Sequence, residues 1–144
     1  MRAVIDINVI VSAWLNKFGT PARVLREVLE GRLTIILTME LIAELERAIR
    51  YQRVMKRVPS TEEQLRQFTE AIAIAAEIVS PKRSIAGVLR DPDDHALLEA
   101  AAAGNANVVI TGDKDLTDLG SFEGIRILMP ADFMAELDRA TAQD

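Results

Sequence analysis

No cysteine occurs among the 144 residues, and histidine occurs once, as His95. The first absence excludes a disulfide framework, a thiolate-ligated zinc or iron–sulfur site and a thiol nucleophile. The second excludes histidine-rich metal sites and the H-E-x-x-H pattern of zinc proteases. Long apolar runs are also missing. No stretch approaches the roughly 18–20 residues that a membrane-spanning helix needs. The opening MRAVIDINVIV carries Asp6 inside its apolar stretch and has no small-residue cleavage site, so it does not read as a signal peptide. No G-x-G-x-x-G follows an aliphatic run, which argues against a dinucleotide-binding enzyme. A basic excess is absent too. The net charge of −5 argues against a simple duplex-binding module. It leaves room for an enzyme whose acidic site holds a metal while a local basic patch holds phosphate.

The composition is that of a globular protein, with 49% hydrophobic and 27% charged residues, seven glycines and five prolines. Disorder and collagen-like structure are thereby excluded. The length suits a single domain spanning 1–144. The expectation is a soluble, cytoplasmic chain.

Residues 3–11 are aliphatic apart from Asp6 and Asn8, the pattern of a buried parallel strand running into a helix. Thr20-Pro21 reads as an N-cap with proline in the first turn, and Gly31 as the end of that helix. Leu33 to Leu37 reads as a strand. Thr38 then caps a helix running to about Arg57, and Ser60-Thr61-Glu62-Glu63 opens another as a capping box, to about Ile78. A short strand follows near Ile78-Val79. Asp91-Pro92 starts a further helix that Gly104 ends. Val108 to Ile110 and Ile125 to Leu128 read as strands, and Pro130 begins a terminal helix. Strands alternating with helices predict a three-layer α/β/α sandwich around a mostly parallel sheet of four or five strands. Ligands of such sheets sit at the carboxyl ends of the strands.

The acidic residues fall where a parallel sheet would gather them. Asp6 ends the first strand, Asp113 and Asp115 follow the Val108 strand, and Asp91, Asp93 and Asp94 open the helix before it. Glu44 lies among Leu41, Ile42, Leu45 and Ala48 on an inward-facing helix stripe. Carboxylates converging on one rim repel each other and raise one another's pKa unless something compensates. A hard divalent cation does so with oxygen ligands alone, which suits Mg²⁺ or Mn²⁺. Held beside a phosphate, such an ion activates water and stabilises an in-line displacement.

Each acid also has a plainer reading. Asp91 serves as an N-cap and Asp93 as a first-turn acid on the helix dipole. Asp94 and Asp113 admit either role, and Asp115 and Asp118 read as solvated. Glu44 could pair with Arg47 at i,i+3. Asp6, amid Val4, Ile5, Ile7 and Val9, needs a cap role or a metal. Between Arg47 and Arg57 there is no acid, and Arg50, Arg53 and Arg57 would share one side of a continuous helix, with Tyr51 interleaved. That side is either a contact for an RNA backbone, with Tyr51 stacking on a base, or a solvated helix face.

These residues carry a resemblance. VIDINVIVSAWL is similar to the first motif of PIN-domain ribonucleases, usually D-T/S-N. MELIAELERAI resembles the second, with Glu44 at the acidic position. DPDDHALLEAAAAGNANVVITGDKDL looks like the third and fourth run together, and IRILMPADFMAEL like the last strand and helix. The similarity spans nearly the whole chain. Within the family it is greatest to the short VapC-like toxins of type II toxin–antitoxin systems.

The resemblance implies Asp6, Glu44, Asp94 and Asp113 as the catalytic quartet. It implies Asp6, Asp94 and Asp113 as ligands of Mg²⁺ or Mn²⁺, with Asp115 as an auxiliary acid and Asn8 and Thr111 in support. It implies a metal-dependent endoribonuclease acting on single-stranded RNA; Arg47, Arg50, Arg53 and Arg57 are candidate RNA contacts on the ground of the acid-free basic stretch alone. It further implies a homodimer and a protein antitoxin. Ile7 departs from the pattern, because the family usually has Thr or Ser there. That departure keeps open an alternative, a PIN scaffold that binds RNA or protein without cutting. A receiver-type domain fits poorly, because Asp6 lacks an adjacent acid and Leu128-Met129-Pro130 lacks a lysine.

Overall fold

Strand β1 (Arg2–Ile5) lies inside the sheet, paired in parallel with β2 (Thr34–Leu37) and β4 (Val108–Ile110). Its Ala3, Val4 and Ile5 are all buried, so both faces are covered, as an unbroken aliphatic run requires. The computed structural model describes residues 1–85 and 91–142. Two short strands, β3 (Glu77–Ile78) and β5 (Ser121–Phe122), form the edges, and β6 (Ile125–Leu128) completes a sheet of order β3-β2-β1-β4-β6-β5. Only the β5–β6 pair is antiparallel. The sheet thus has six strands, more than the four or five expected. The extra strand is β5, joined to β6 by the two-residue turn Glu123-Gly124. Both turn residues have positive φ, 49° and 83°, the geometry that suits a tight hairpin.

Helices flank the sheet as the alternating pattern predicts, in three layers. Helix α6 (Pro92–Ala103) packs on β1, β2 and β4. Helices α1 (Ile7–Leu15), α2 (Thr20–Leu29), α3 (Met39–Ala48), α5 (Glu62–Ala75) and α8 (Pro130–Ala142) pack on one another. Two short helices complete the order, α4 (Gln52–Arg57) and α7 (Lys114–Leu119). The second lies where only a turn was expected.

Several helix ends differ from the sequence reading. The segment after Thr38 is two helices, not one, because the chain breaks at Ile49–Tyr51. Ile49 is buried there while Tyr51 becomes the N-cap of α4. Arg50 therefore does not share a continuous helical side with Arg53 and Arg57. Gly19, not Thr20, is the N-cap of α2. The capping box of α5 is made by Thr61 and Gln64: the Gln64 N–H donates to Thr61 Oγ1 at 3.1 Å, and the Thr61 N–H to Gln64 Oε1 at 2.9 Å. That helix ends at Ala75, earlier than expected. Thr38 and Asp91 cap α3 and α6 as expected, and Gly104 ends α6.

Candidate active site at the carboxyl ends of the sheet

Asp6 is the residue after β1, and its N–H donates to the Ile110 carbonyl at 2.9 Å, which ties it to the end of β4. Its side chain is the N-cap of α1: Oδ1 accepts from the Asn8 N–H at 3.1 Å. Oδ2 accepts from the Thr111 hydroxyl at 2.7 Å. The cap reading of Asp6 is thus realised, and the same carboxylate also faces a cavity. Thr111, fully buried, accepts in turn from the Asp113 N–H at 3.0 Å. Asp113 is the N-cap of α7, with its Oδ1 accepting from the Asp115 N–H at 2.9 Å. One hydroxyl therefore fixes two acids on neighbouring strand ends.

From the other side, α6 contributes Asp94 and α3 contributes Glu44. Asp94 is only 4% exposed, and among the described residues its Oδ2 has no hydrogen-bond partner. Glu44 forms no ion pair among the described residues, so the pairing with Arg47 is not made. Asp6, Glu44, Asp94 and Asp113 line one cavity of about 70 Å³, together with Asp91 and Asp93. Ile7, Leu41 and Leu97 supply apolar wall, and among the described residues no lysine or arginine lines it.

The carboxyls respond to this crowding. Burial pushes the Asp6 pKa up against the pull of Thr111 and Asn8, and the charges of Asp113 and Asp93 push the same way. Burial, then Asp93 and Asp6, raise Glu44, while Arg47 draws it down more weakly. Asp94 moves furthest, from 3.8 to about 7, through burial and the adjacent Asp113 carboxyl. Carboxylate oxygens of Asp94, Asp113 and Asp115 lie within 4.8 Å of one another. Asp6 lines the cavity without joining that group of three, and Asp115 joins the three without lining the cavity.

A hard divalent cation fits this donor set. Among the described residues the ligands are all oxygen, one buried oxygen lacks a partner, and no basic side chain lines the cavity to neutralise it. Asp93, read from sequence as a helix-dipole acid, also lines the cavity. Its signal was the doubled acid in DPDD, where Asp91 caps and leaves the next two carboxylates on the first turn. Of the arginines, Arg53 and Arg57 line a separate cavity that shares Asn8 with this one. Arg50 is turned to Glu62 and to the Glu46 carbonyl.

A family model described as the PIN domain matches residues 2–115. The chain belongs to the PIN-domain family. PIN domains are generally nucleases and generally use divalent metals. The match takes in every acid of the site, from Asp6 to Asp115, and stops before β5, β6 and α8. This PIN domain is 28% identical over 119 residues to an uncharacterized protein of Methanocaldococcus jannaschii, covering 83% of this chain and 75% of that one. Its fold is similar to that in a crystal structure of VapBC2 from Rickettsia felis bound to a DNA fragment from their promoter. The TM-score is 0.57 at 16% identity, over 88% of this chain and 97% of that chain. Among the described residues, no helix is long and apolar enough to cross a membrane.

Proposed function

We propose that this PIN domain is a metal-dependent endoribonuclease that cuts single-stranded RNA as the toxin of a toxin–antitoxin pair. The observation that carries the reading is the buried Oδ2 of Asp94, which among the described residues has no partner and lies in a cavity they line with six carboxyl groups and no basic side chain. Such a cluster opposes folding unless a cation enters it. Asp6, Asp94 and Asp113 would hold Mg²⁺ or Mn²⁺, with Asp115 beside Asp94 and Asp113. When bound, the ion supplies Lewis-acid activation of water and neutralises charge at the phosphoryl oxygens.

The chain's own residues do the rest. Thr111 and Asn8 hold Asp6 in one orientation, and Thr111 also sets the backbone of Asp113. Glu44, which lines the same cavity, helps hold the ion directly or through water. Leu41, Leu97 and Ile7 limit access of bulk water from the wall. Cleavage leaves 5′-phosphate and 3′-hydroxyl ends.

The alternative, a PIN scaffold that binds RNA or protein without cutting, rests on Ile7 in place of a hydroxyl residue. Asp6 nonetheless accepts a hydrogen bond from the Thr111 hydroxyl. The fold shared with a VapBC complex supports an antitoxin partner and the toxin role. Exposed Phe18, Met39 and Ile74 offer apolar surface for that partner and for a homodimer. A chain of this role works in the cytoplasm, where its RNA is.

The test is cleavage of a mixed single-stranded RNA pool by purified protein in Mg²⁺, Mn²⁺ or EDTA, beside Asp6→Asn. Cutting that needs metal and vanishes in the variant is expected. A folded wild type that cuts nothing in either metal would shift the reading to the binding scaffold.

A further inference from the structure

The carboxylate cavity of about 70 Å³ has room for an ion and a few atoms, not for a nucleotide. Its walls are also anionic, so affinity for a polyanion must come from elsewhere on the chain. A second cavity of about 290 Å³ adjoins it, and the two share Asn8. One wall is a face of α1, with Asn8 and Ser12 four residues apart and Val11 and Leu15 beneath. The other is α4, with Val54 between Arg53 and Arg57. Among the described residues, no carboxylate lines this cavity.

Arg53 and Arg57, like Arg47 and Arg139, differ from the paired arginines of the surface. Arg23, Arg32, Arg66 and Arg126 are each paired with an acid. Arg53 and Arg57 make no hydrogen bond or ion pair among the described residues, although both are exposed. They stand one helical turn apart, so both guanidinium groups reach the same side of α4. Guanidinium forks match phosphate oxygens bidentately. The apolar floor of Val11, Leu15 and Val54 suits the face of a sugar or base, and Asn8 and Ser12 supply hydrogen-bonding side chains.

Resting on the nuclease reading above, we infer that this second cavity is a nucleotide subsite. Arg53 and Arg57 hold the phosphate of a nucleotide flanking the scissile bond, and so position the strand over the carboxylates. The occupant is a single RNA strand. A polyanion fits two unpaired cations on a chain whose net charge is −5, and Asn8 lines both this cavity and the acidic one. Arg53 and Arg57 are positioning residues, since neither lines the carboxylate cavity.

The test uses a fluorescein-labelled single-stranded oligoribonucleotide and anisotropy in Mg²⁺, with Asp6→Asn in every protein to prevent cutting. Arg53→Gln and Arg57→Gln are compared with Lys56→Gln, which removes the same charge from the same helix outside the cavity. Each arginine variant is expected to weaken binding several-fold and to flatten the salt dependence by roughly 0.7 per lost phosphate contact. Lys56→Gln is expected to change neither. Circular dichroism checks that all three variants fold.

Arginine variants indistinguishable from Lys56→Gln would overturn the subsite, even if the wild type cuts RNA. Binding that needs both arginines, with no cutting by the wild type, would overturn the nuclease reading and leave the subsite standing. Neither binding nor cutting would overturn both. An acidic peptide whose binding needs the two arginines, with RNA binding unaffected, would reassign the cavity to a protein partner.

Discussion

The Thr111 hydroxyl donates to Asp6 Oδ2 at 2.7 Å, a bond that joins residues 105 positions apart and links the ends of β1 and β4. Because Thr111 Oγ1 also accepts from the Asp113 N–H, a single buried side chain sets the spacing of two acids. Thr111→Val keeps the shape and removes both functions of the oxygen. The Asp113 N–H and Asp6 Oδ2 are then left without their partner, at about 1–3 kcal/mol. The expected outcome is a lower denaturation midpoint together with weaker Mg²⁺ binding by calorimetry. Unchanged metal affinity would show that Thr111 is structural only.

The raised carboxyl pKa values give the metal-free chain an unusual pH dependence. Asp94 moves from 3.8 to about 7 on folding, so across that window the folded chain holds a proton that the unfolded chain has lost. Its contribution to stability is present at the acid end and is lost as pH rises through about 7. Asp6 and Glu44 are shifted in the same direction and add to the slope. In EDTA, urea midpoints are expected to fall between about pH 5 and pH 8, and Asp94→Asn to flatten that fall. Saturating Mg²⁺ is expected to restore stability most at the alkaline end, where the carboxylates are charged. A metal-free protein that gains stability over the same range would contradict this.

Helix α6 carries Asp94 and sits close on β2. A Cβ built on Gly104, at the end of α6, would lie 2.7 Å from Ile36 Cγ2 and 2.8 Å from its Cδ1. Ile36 is fully buried and has little room to move. Gly104→Ala is therefore expected to destabilise by about 1–3 kcal/mol through overpacking, read as a shifted urea midpoint. A neutral variant would mean that α6 can lift from the sheet without loss.

Arg50 separates ion pairing from RNA contact. It pairs with Glu62 at 3.1 Å and donates to the Glu46 carbonyl at 2.5 Å. Arg50→Gln is expected to cost at most about 1 kcal/mol, as for other solvent-facing pairs, and to leave RNA affinity unchanged in the anisotropy assay. A loss of affinity equal to that of Arg53→Gln would return Arg50 to the RNA-binding face.

Much of the scaffold was legible because its signals are local. β1, β2, β4 and β6 announce themselves as short aliphatic runs, and Asp91-Pro92 and Thr38 as helix starts. What the sequence hid depends on distant contacts. Glu123 is not a residue that favours positive φ, so the β5–β6 hairpin had no turn signal. No proline or glycine marks the break between α3 and α4; burial of Ile49 accompanies it. The quartet Asp6, Glu44, Asp94 and Asp113 could be named only from the resemblance to the PIN motifs, since spacing alone left Glu44, Asp94 and Asp113 open between site and cap roles, and the fold brings all four to one cavity. That Asp93 joins them could not be read from its first-turn position, which a helix-dipole acid also explains.

The most direct measurement is cleavage of a defined single-stranded oligoribonucleotide followed by analysis of the product ends, for the wild type and for Asp113→Asn. The expected result is cutting in Mg²⁺ or Mn²⁺, none in EDTA, none by the variant, and ends bearing 5′-phosphate and 3′-hydroxyl. Cutting that persists in EDTA and leaves 2′,3′-cyclic phosphate ends would contradict a metal-dependent carboxylate site.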